Sequence, residues 1–178
     1  DDVATALALS TLYGTSGFRL DGIDEWDNSG MSVSGVGDVN GDGYDDLIIN
    51  APYADPGGAS SYSSEGESYV VFGKGDWSST ASLDLSTLNG TSGFRLDGID
   101  EYDSSGRSVS GAGDVNADGY DDLIIGAPGG DPGSTSSYSN DGESYVVFGK
   151  GDWSSTACLD LSALDWTSGF RLDGIDQY

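Results

Sequence analysis

Histidine is absent from the 178 residues, cysteine occurs once, at Cys158, and lysine plus arginine number six against 31 aspartates and glutamates. Each shortage removes a class of function. Without histidine there is no imidazole base and no Ser–His pairing, and no glycine-rich phosphate cradle precedes a helix. In so acidic a chain no single glycosidase-like carboxylate pair stands out, so no enzyme is expected. One cysteine rules out a disulfide framework, and the nitrogen and sulfur ligands that zinc favours are missing. The formal charge of −25 leaves no basic footprint for nucleic acid and disfavours an anionic membrane surface without a calcium bridge. No apolar run approaches the roughly 20 residues of a membrane-crossing helix, so direct membrane insertion is not expected. No secretory leader is visible, and a chain that does not open on Met fits a mature or cropped polypeptide.

What the chain has is oxygen, placed at intervals. Residues 38–46 read DVNGDGYDD and residues 114–122 read DVNADGYDD. Alternate positions carry Asp38, Asn40, Asp42, the Tyr44 carbonyl and Asp46, and in the second copy Asp114, Asn116, Asp118, the Tyr120 carbonyl and Asp122. This is how a short turn wraps a hard cation such as Ca²⁺. Asp, Asn and Gly also dominate ordinary turns. Charges about 5 Å apart, however, repel by about 3 kcal/mol per pair at an effective dielectric near 20. Three such pairs would rival the stability of a whole domain, which favours a cation. A helix–loop–helix calcium hand does not fit, because its twelfth position needs a bidentate Glu and here holds Ile49 or Ile125.

The loops sit in a longer repeat. TSGFRLDGID occurs three times, with Phe18, Phe94 and Phe170 at a constant interval of 76 residues. Four strands are expected per unit: residues 31–36 and 107–112, rich in small side chains as suits a crowded innermost strand; residues 46–50, stopped by Pro52; residues 68–72, reading SYVVF; and residues 93–96. Residues 84–88, DLSTL, are expected to make a single turn. The fold class is therefore all-β, in blades of four antiparallel strands, with partial unit 1–24, units 25–100 and 101–176, and residues 177–178 opening the next.

The run SVSGVGDVNGDGYDDLIINAP followed by SYVVFG resembles the FG-GAP repeat of integrin α-subunit propellers and of bacterial secreted proteins, and residues 126–128 spell GAP. The resemblance covers nearly the whole chain. It implies a β-propeller whose hairpin loops hold structural Ca²⁺ through the positions named above.

The strand inventory leaves the outer-type strand near Phe18 without companions from its own unit. An open strand edge invites another chain, so self-association or continuation of a longer repeat array is expected. With Ca²⁺ at millimolar levels outside cells, where modules bind it at about 10⁻⁴–10⁻³ M, the expected location is extracellular or on the cell surface. Three functions follow: a calcium-binding structural or adhesive repeat protein forming rings or filaments; a recognition module for an extracellular protein or glycan; or an accessory propeller of a larger secreted enzyme. Lesser signals are the Asn89-Gly90-Thr91 glycosylation pattern, a second cation site at Asp55, Glu65 and Glu67 with Asp131, Asp141 and Glu143, and Trp77 and Trp153 as packing anchors between blades.

Overall fold

The structure, a computed structural model, describes residues 8–56, 63–132 and 140–175. Leu7, the middles of the two Ser-rich loops and residues 176–178 lie outside the described residues. In chain order the strands are β1 (Arg19–Asp21), β2 (Val33–Gly37), β3 (Asp46–Ala51), β4 (Glu67–Val71), β5 (Ser82–Asp84), β6 (Gly93–Asp97), β7 (Ser108–Gly113), β8 (Asp122–Ala127), β9 (Glu143–Val147), β10 (Cys158–Asp160) and β11 (Gly169–Asp173).

The chain is all-β and forms two propeller blades. Strands β2, β3, β4 and β6 make the first antiparallel blade, and β7, β8, β9 and β11 make the second. Both are open sheets. The SYVVF run lacks hydrophobic alternation because β4 is covered on both faces. Tyr69 and Val71 point into a cluster with Ile49, Ala51 and Leu85, whereas Val70 points into the larger core with Phe94 and Leu123. Burial on both sides is what a continuous apolar strand signals.

The innermost strands β2 and β7 lie against each other. A side chain at Gly111 would meet the Val36 Cα at 2.9 Å, so the two backbones touch where only glycine fits. Each strand also carries a bulge at its glycines, between Gly35 and Gly37 and between Gly111 and Gly113, and there the chain turns into the acidic loop.

Each blade has the expected four antiparallel strands, and each unit contributes one strand more. A short fifth strand, β5 or β10, precedes the DLS turn and pairs in parallel with the outer strand of the preceding unit: Ser82–Asp84 on Arg19–Asp21, and Cys158–Asp160 on Arg95–Asp97. The outer-type strand near Phe18 thus has, among the described residues, no companion from its own unit, but β1 gains a partner in β5 of the following one. Three residues are too few to show periodicity in sequence, and their partner is remote in the chain. The DLSTL segment makes the expected turn, a 3₁₀ turn at Leu85–Thr87 repeated at Leu161–Ala163, with Asp84 and Asp160 capping it through the N–H groups of Ser86 and Ser162. Leu85 and Leu161 are buried beneath it.

The tryptophans anchor packing between units. Trp77 stacks on Phe18 at 4.1 Å between ring centroids, and Trp153 stacks on Phe94 at 3.8 Å, both nearly coplanar. Lys74 and Lys150 lie over the indoles at 4.1 and 4.2 Å.

Candidate metal centre

Each acidic loop joins the inner strand of a blade to the next strand, from the β2 bulge to β3 and from the β7 bulge to β8. Reversal within so few residues needs left-handed backbone at Gly41 and Gly43, matched in the second loop by Ala117 and Gly119. Within the first loop the Asp42 N–H donates to both Asp38 Oδ1 (3.0 Å) and Asn40 Oδ1 (2.9 Å). Gly43 N–H donates to Asp38 Oδ2 at 2.8 Å, Tyr44 N–H to Asp42 Oδ1 at 2.9 Å, and the Asn40 amide to Asp42 Oδ2 at 3.0 Å. The second loop repeats the pattern with Asp114, Asn116, Asp118, Gly119 and Tyr120.

Asp38, Asn40 and Asp42 are thus brought together, as are Asp114, Asn116 and Asp118. Asp46 and Asp122 stand apart from them in role. Each is fully buried and braces backbone with both oxygens: Asp46 accepts from Val39 N–H at 3.0 Å and Gly73 N–H at 2.8 Å, and Asp122 from Val115 N–H at 2.8 Å and Gly149 N–H at 2.9 Å. Burial raises the Asp46 carboxyl to about 6, against the pull of those amides, and the charges of Asp42 and Asp38 add to the rise. Asp122 is raised in the same way, with Asp118 and Asp114 as the charges. Tyr44 and Tyr120 supply backbone to the loop, and their hydroxyls reach the glycines at Gly75 and Gly151.

Among the described residues no three His, Cys, Asp or Glu side chains are drawn together closely enough to hold a metal ion as they stand. The donor set nevertheless fits calcium. Every donor is an oxygen, and each of Asp38, Asp42 and Asp46 accepts two hydrogen bonds while a carboxylate offers about four lone-pair sites. Half the acceptor capacity of each loop remains for a hard cation.

What the first loop touches was not legible in the residues themselves. Asp38 N–H donates to Asp121 Oδ2 at 2.9 Å, Asp121 N–H returns to the Asp38 carbonyl at 3.2 Å, and Lys150 N–H reaches the Val39 carbonyl at 3.0 Å. The loop of one unit is therefore fastened to the next unit. Val39 is fully buried there, whereas its counterpart Val115 is 51% exposed. The doubled acid in YDD was the available signal, because only the second Asp of each pair belongs to the ligand spacing.

The second group of acids divides. Ser63 Oγ lies 2.8 Å from Asp55 Oδ1 and 2.6 Å from Glu65 Oε2, while Glu67 turns away to the Tyr69 hydroxyl and to Arg95 Nη1 at 3.2 Å. Glu143 likewise takes the Tyr145 hydroxyl and Arg171 Nη1 at 3.0 Å. Glu67 and Glu143 are thus buried acids, each paired with an arginine that stays partly in solvent. Asp131 accepts from Asn140 N–H at 2.6 Å. Asn89 uses its carboxamide oxygen to cap its own turn, accepting from Thr91 and Ser92.

Comparison with known proteins agrees with this architecture. The FG-GAP repeat family matches residues 29–71 and 105–147, each spanning inner strand, acidic loop and the next two strands. Integrin alpha-5 of Xenopus laevis is 31% identical over 174 residues, covering 93% of this chain and 15% of its own length. Integrin alpha pat-2 of Caenorhabditis elegans is 33% identical over 125 residues, 69% of this chain and 9% of its own. Integrin alpha-IIb of Mus musculus is 33% identical over 113 residues, 62% of this chain and 9% of its own. The chain spans less than a fifth of the length of these relatives. Its two complete blades are FG-GAP repeats, and the chain is similar to the corresponding stretch of integrin alpha chains.

Proposed function

We propose that this chain is an extracellular, calcium-stiffened adhesive module. The carrying observation is the convergence of the Asp38 and Asn40 oxygens on the backbone N–H of Asp42, copied by Asp114 and Asn116 on the N–H of Asp118, with acceptor capacity to spare. Asp38, Asn40, Asp42, the Tyr44 carbonyl and Asp46 hold one Ca²⁺; Asp114, Asn116, Asp118, the Tyr120 carbonyl and Asp122 hold the second. The ion neutralises carboxylates that otherwise repel, and in the first loop it also stiffens the junction with the second unit. The integrin α relatives support an adhesive role outside the cell.

Assembly is part of the reading. Where β6 has β4 on one side and β10 on the other, β1 has only β5 and β11 has only β9. The free edge of β1 suits the strands of a neighbouring repeat, supplied by a longer chain or by another copy, and their pairing extends the array. Nothing in the described residues favours an enzyme.

Calorimetric titration of Ca²⁺ into the chelator-stripped chain tests the proposal. Two sites in the range of about 10⁻⁴–10⁻³ M are expected, one lost in Asp42→Ala and the other in Asp118→Ala. A chain that takes up no Ca²⁺ at several millimolar would end it.

A further inference from the structure

The turn before each outer strand of the GFRLD type is where consecutive units meet, and its third copy differs from the other two. Gly14 and Gly90 occupy the same repeat position; Trp166 occupies it in the third. The two glycines are there for a reason of space. A Cβ at Gly14 would lie 2.4 Å from the Trp77 and Ser78 carbonyl oxygens, and one at Gly90 would lie 2.4 Å from the Trp153 carbonyl oxygen. Both contacts are with backbone of the following unit, which cannot swing aside as a side chain can. Both glycines also have left-handed φ, +33° and +85°.

This close approach seats the rest of the junction. With the Trp-Ser backbone against the glycine, the indole stacks on the outer-strand Phe, Gly14 N–H donates to the Thr80 carbonyl at 3.0 Å, and the short parallel strand is led in by Arg19 N–H on the Ala81 carbonyl (3.1 Å) or Arg95 N–H on the Ala157 carbonyl (2.9 Å).

At Trp166 a bulky side chain stands where the other two copies have glycine. The Ser168 N–H donates to the Asp165 carbonyl at 2.9 Å, as the Ser16 N–H does to the Tyr13 carbonyl at 3.1 Å in the first copy, and the Gly169 N–H adds a second bond to it at 2.8 Å. The Trp166 ring lies over Phe170 at 6.0 Å between centroids and 20° between planes, and it remains 84% exposed. It stands over the Phe that, in the other two copies, receives the indole of the next unit.

We propose that Trp166 closes the outer edge of β11 to a further FG-GAP unit docked as the units of this chain dock on one another. Extension of the array is then directional: no parallel strand of the β5 or β10 kind joins β11, while the free edge of β1, already joined by β5 on its other side, is left for an antiparallel partner such as β9 gives β11. This holds whether or not the loops bind calcium, so it stands apart from the proposed function.

Transplanting the third turn into the two working junctions tests it. In Asn89→Asp/Gly90→Trp and in Tyr13→Asp/Gly14→Trp, amide hydrogen exchange should show loss of protection at Arg95 and Arg19 respectively, with the β8–β9 amides still protected as an internal check on folding. Trp153 emission should shift to the red in the first variant. The Tyr13/Gly14 variant lies at the edge of the molecule, so it remains informative if the other unfolds. Native protection at Arg19 in that variant, or at Arg95 in a folded Asn89/Gly90 variant, would overturn the proposal.

Discussion

Asp38 and Asp121 hold each other across the junction of the two units, the N–H of Asp38 on the carboxylate of Asp121 and the N–H of Asp121 on the carbonyl of Asp38. Ligand loop and inter-unit contact therefore share a residue. Asp121→Ala leaves the Asp38 N–H without its acceptor in a half-buried place and should cost about 1–3 kcal/mol in urea unfolding. The equivalent change in the first unit, Asp45→Ala, touches an exposed residue and should cost less than about 0.5 kcal/mol.

Calcium removal gives a second prediction. For a dissociation constant of about 10⁻⁴ M, 1 mM Ca²⁺ stabilises by about 1.4 kcal/mol per site. For two sites in a chain of this size, chelation should lower Tm by roughly 6–11 °C in calorimetry. Monovalent salt should restore only part of the loss, because it screens the carboxylates without binding between them. Asp42→Ala should also loosen the inter-unit amide of Lys150, whereas Asp118→Ala should leave it protected.

Asp103 sets a pH dependence. Burial raises its carboxyl to about 7, with the charges of Glu143, Asp100 and Asp131 adding to the effect. The folded chain therefore holds this proton more tightly than the unfolded chain, whose Asp titrates near 3.9. The stabilisation is complete below about pH 4 and disappears as pH rises through about 7. Asp103→Asn, which keeps the shape without the charge, should exceed the parent in stability at pH 7, by at most about 4 kcal/mol. The two should converge near pH 4, as read by denaturant midpoints across that range.

The stacked pairs should differ in weight. Trp153 and Phe94 are both buried, so Trp153→Ala should cost about 3–5 kcal/mol. Trp77 is only half-buried, over a strand with one partner, so Trp77→Ala should cost visibly less in the same denaturant titration.

Much of this was readable from residues alone. The 76-residue interval between Phe18, Phe94 and Phe170 exposed the unit, and SYVVF announced a strand, although not its burial on both faces. The acidic loops were visible because their spacing is local: every hydrogen bond among Asp38, Asn40 and Asp42 closes within five residues. What escaped depends on remote partners. Ser82–Asp84 is a strand only because Arg19–Asp21 offers an edge more than 60 residues away. Asp121 looked like one more surface acid until the fold set it against Asp38. Trp166 was legible as a departure from the repeat, but its meaning needed the carbonyl of Trp153 beside Gly90.

The parallel register of β10 on β6 has a mechanical corollary. Because both strands run the same way, traction applied upstream of β6 and downstream of β10 draws them in opposite directions along their length. Their cross-strand bonds then share the load side by side and do not open one after another like a zip. Such a seam would let tension pass from blade to blade before either one begins to unravel.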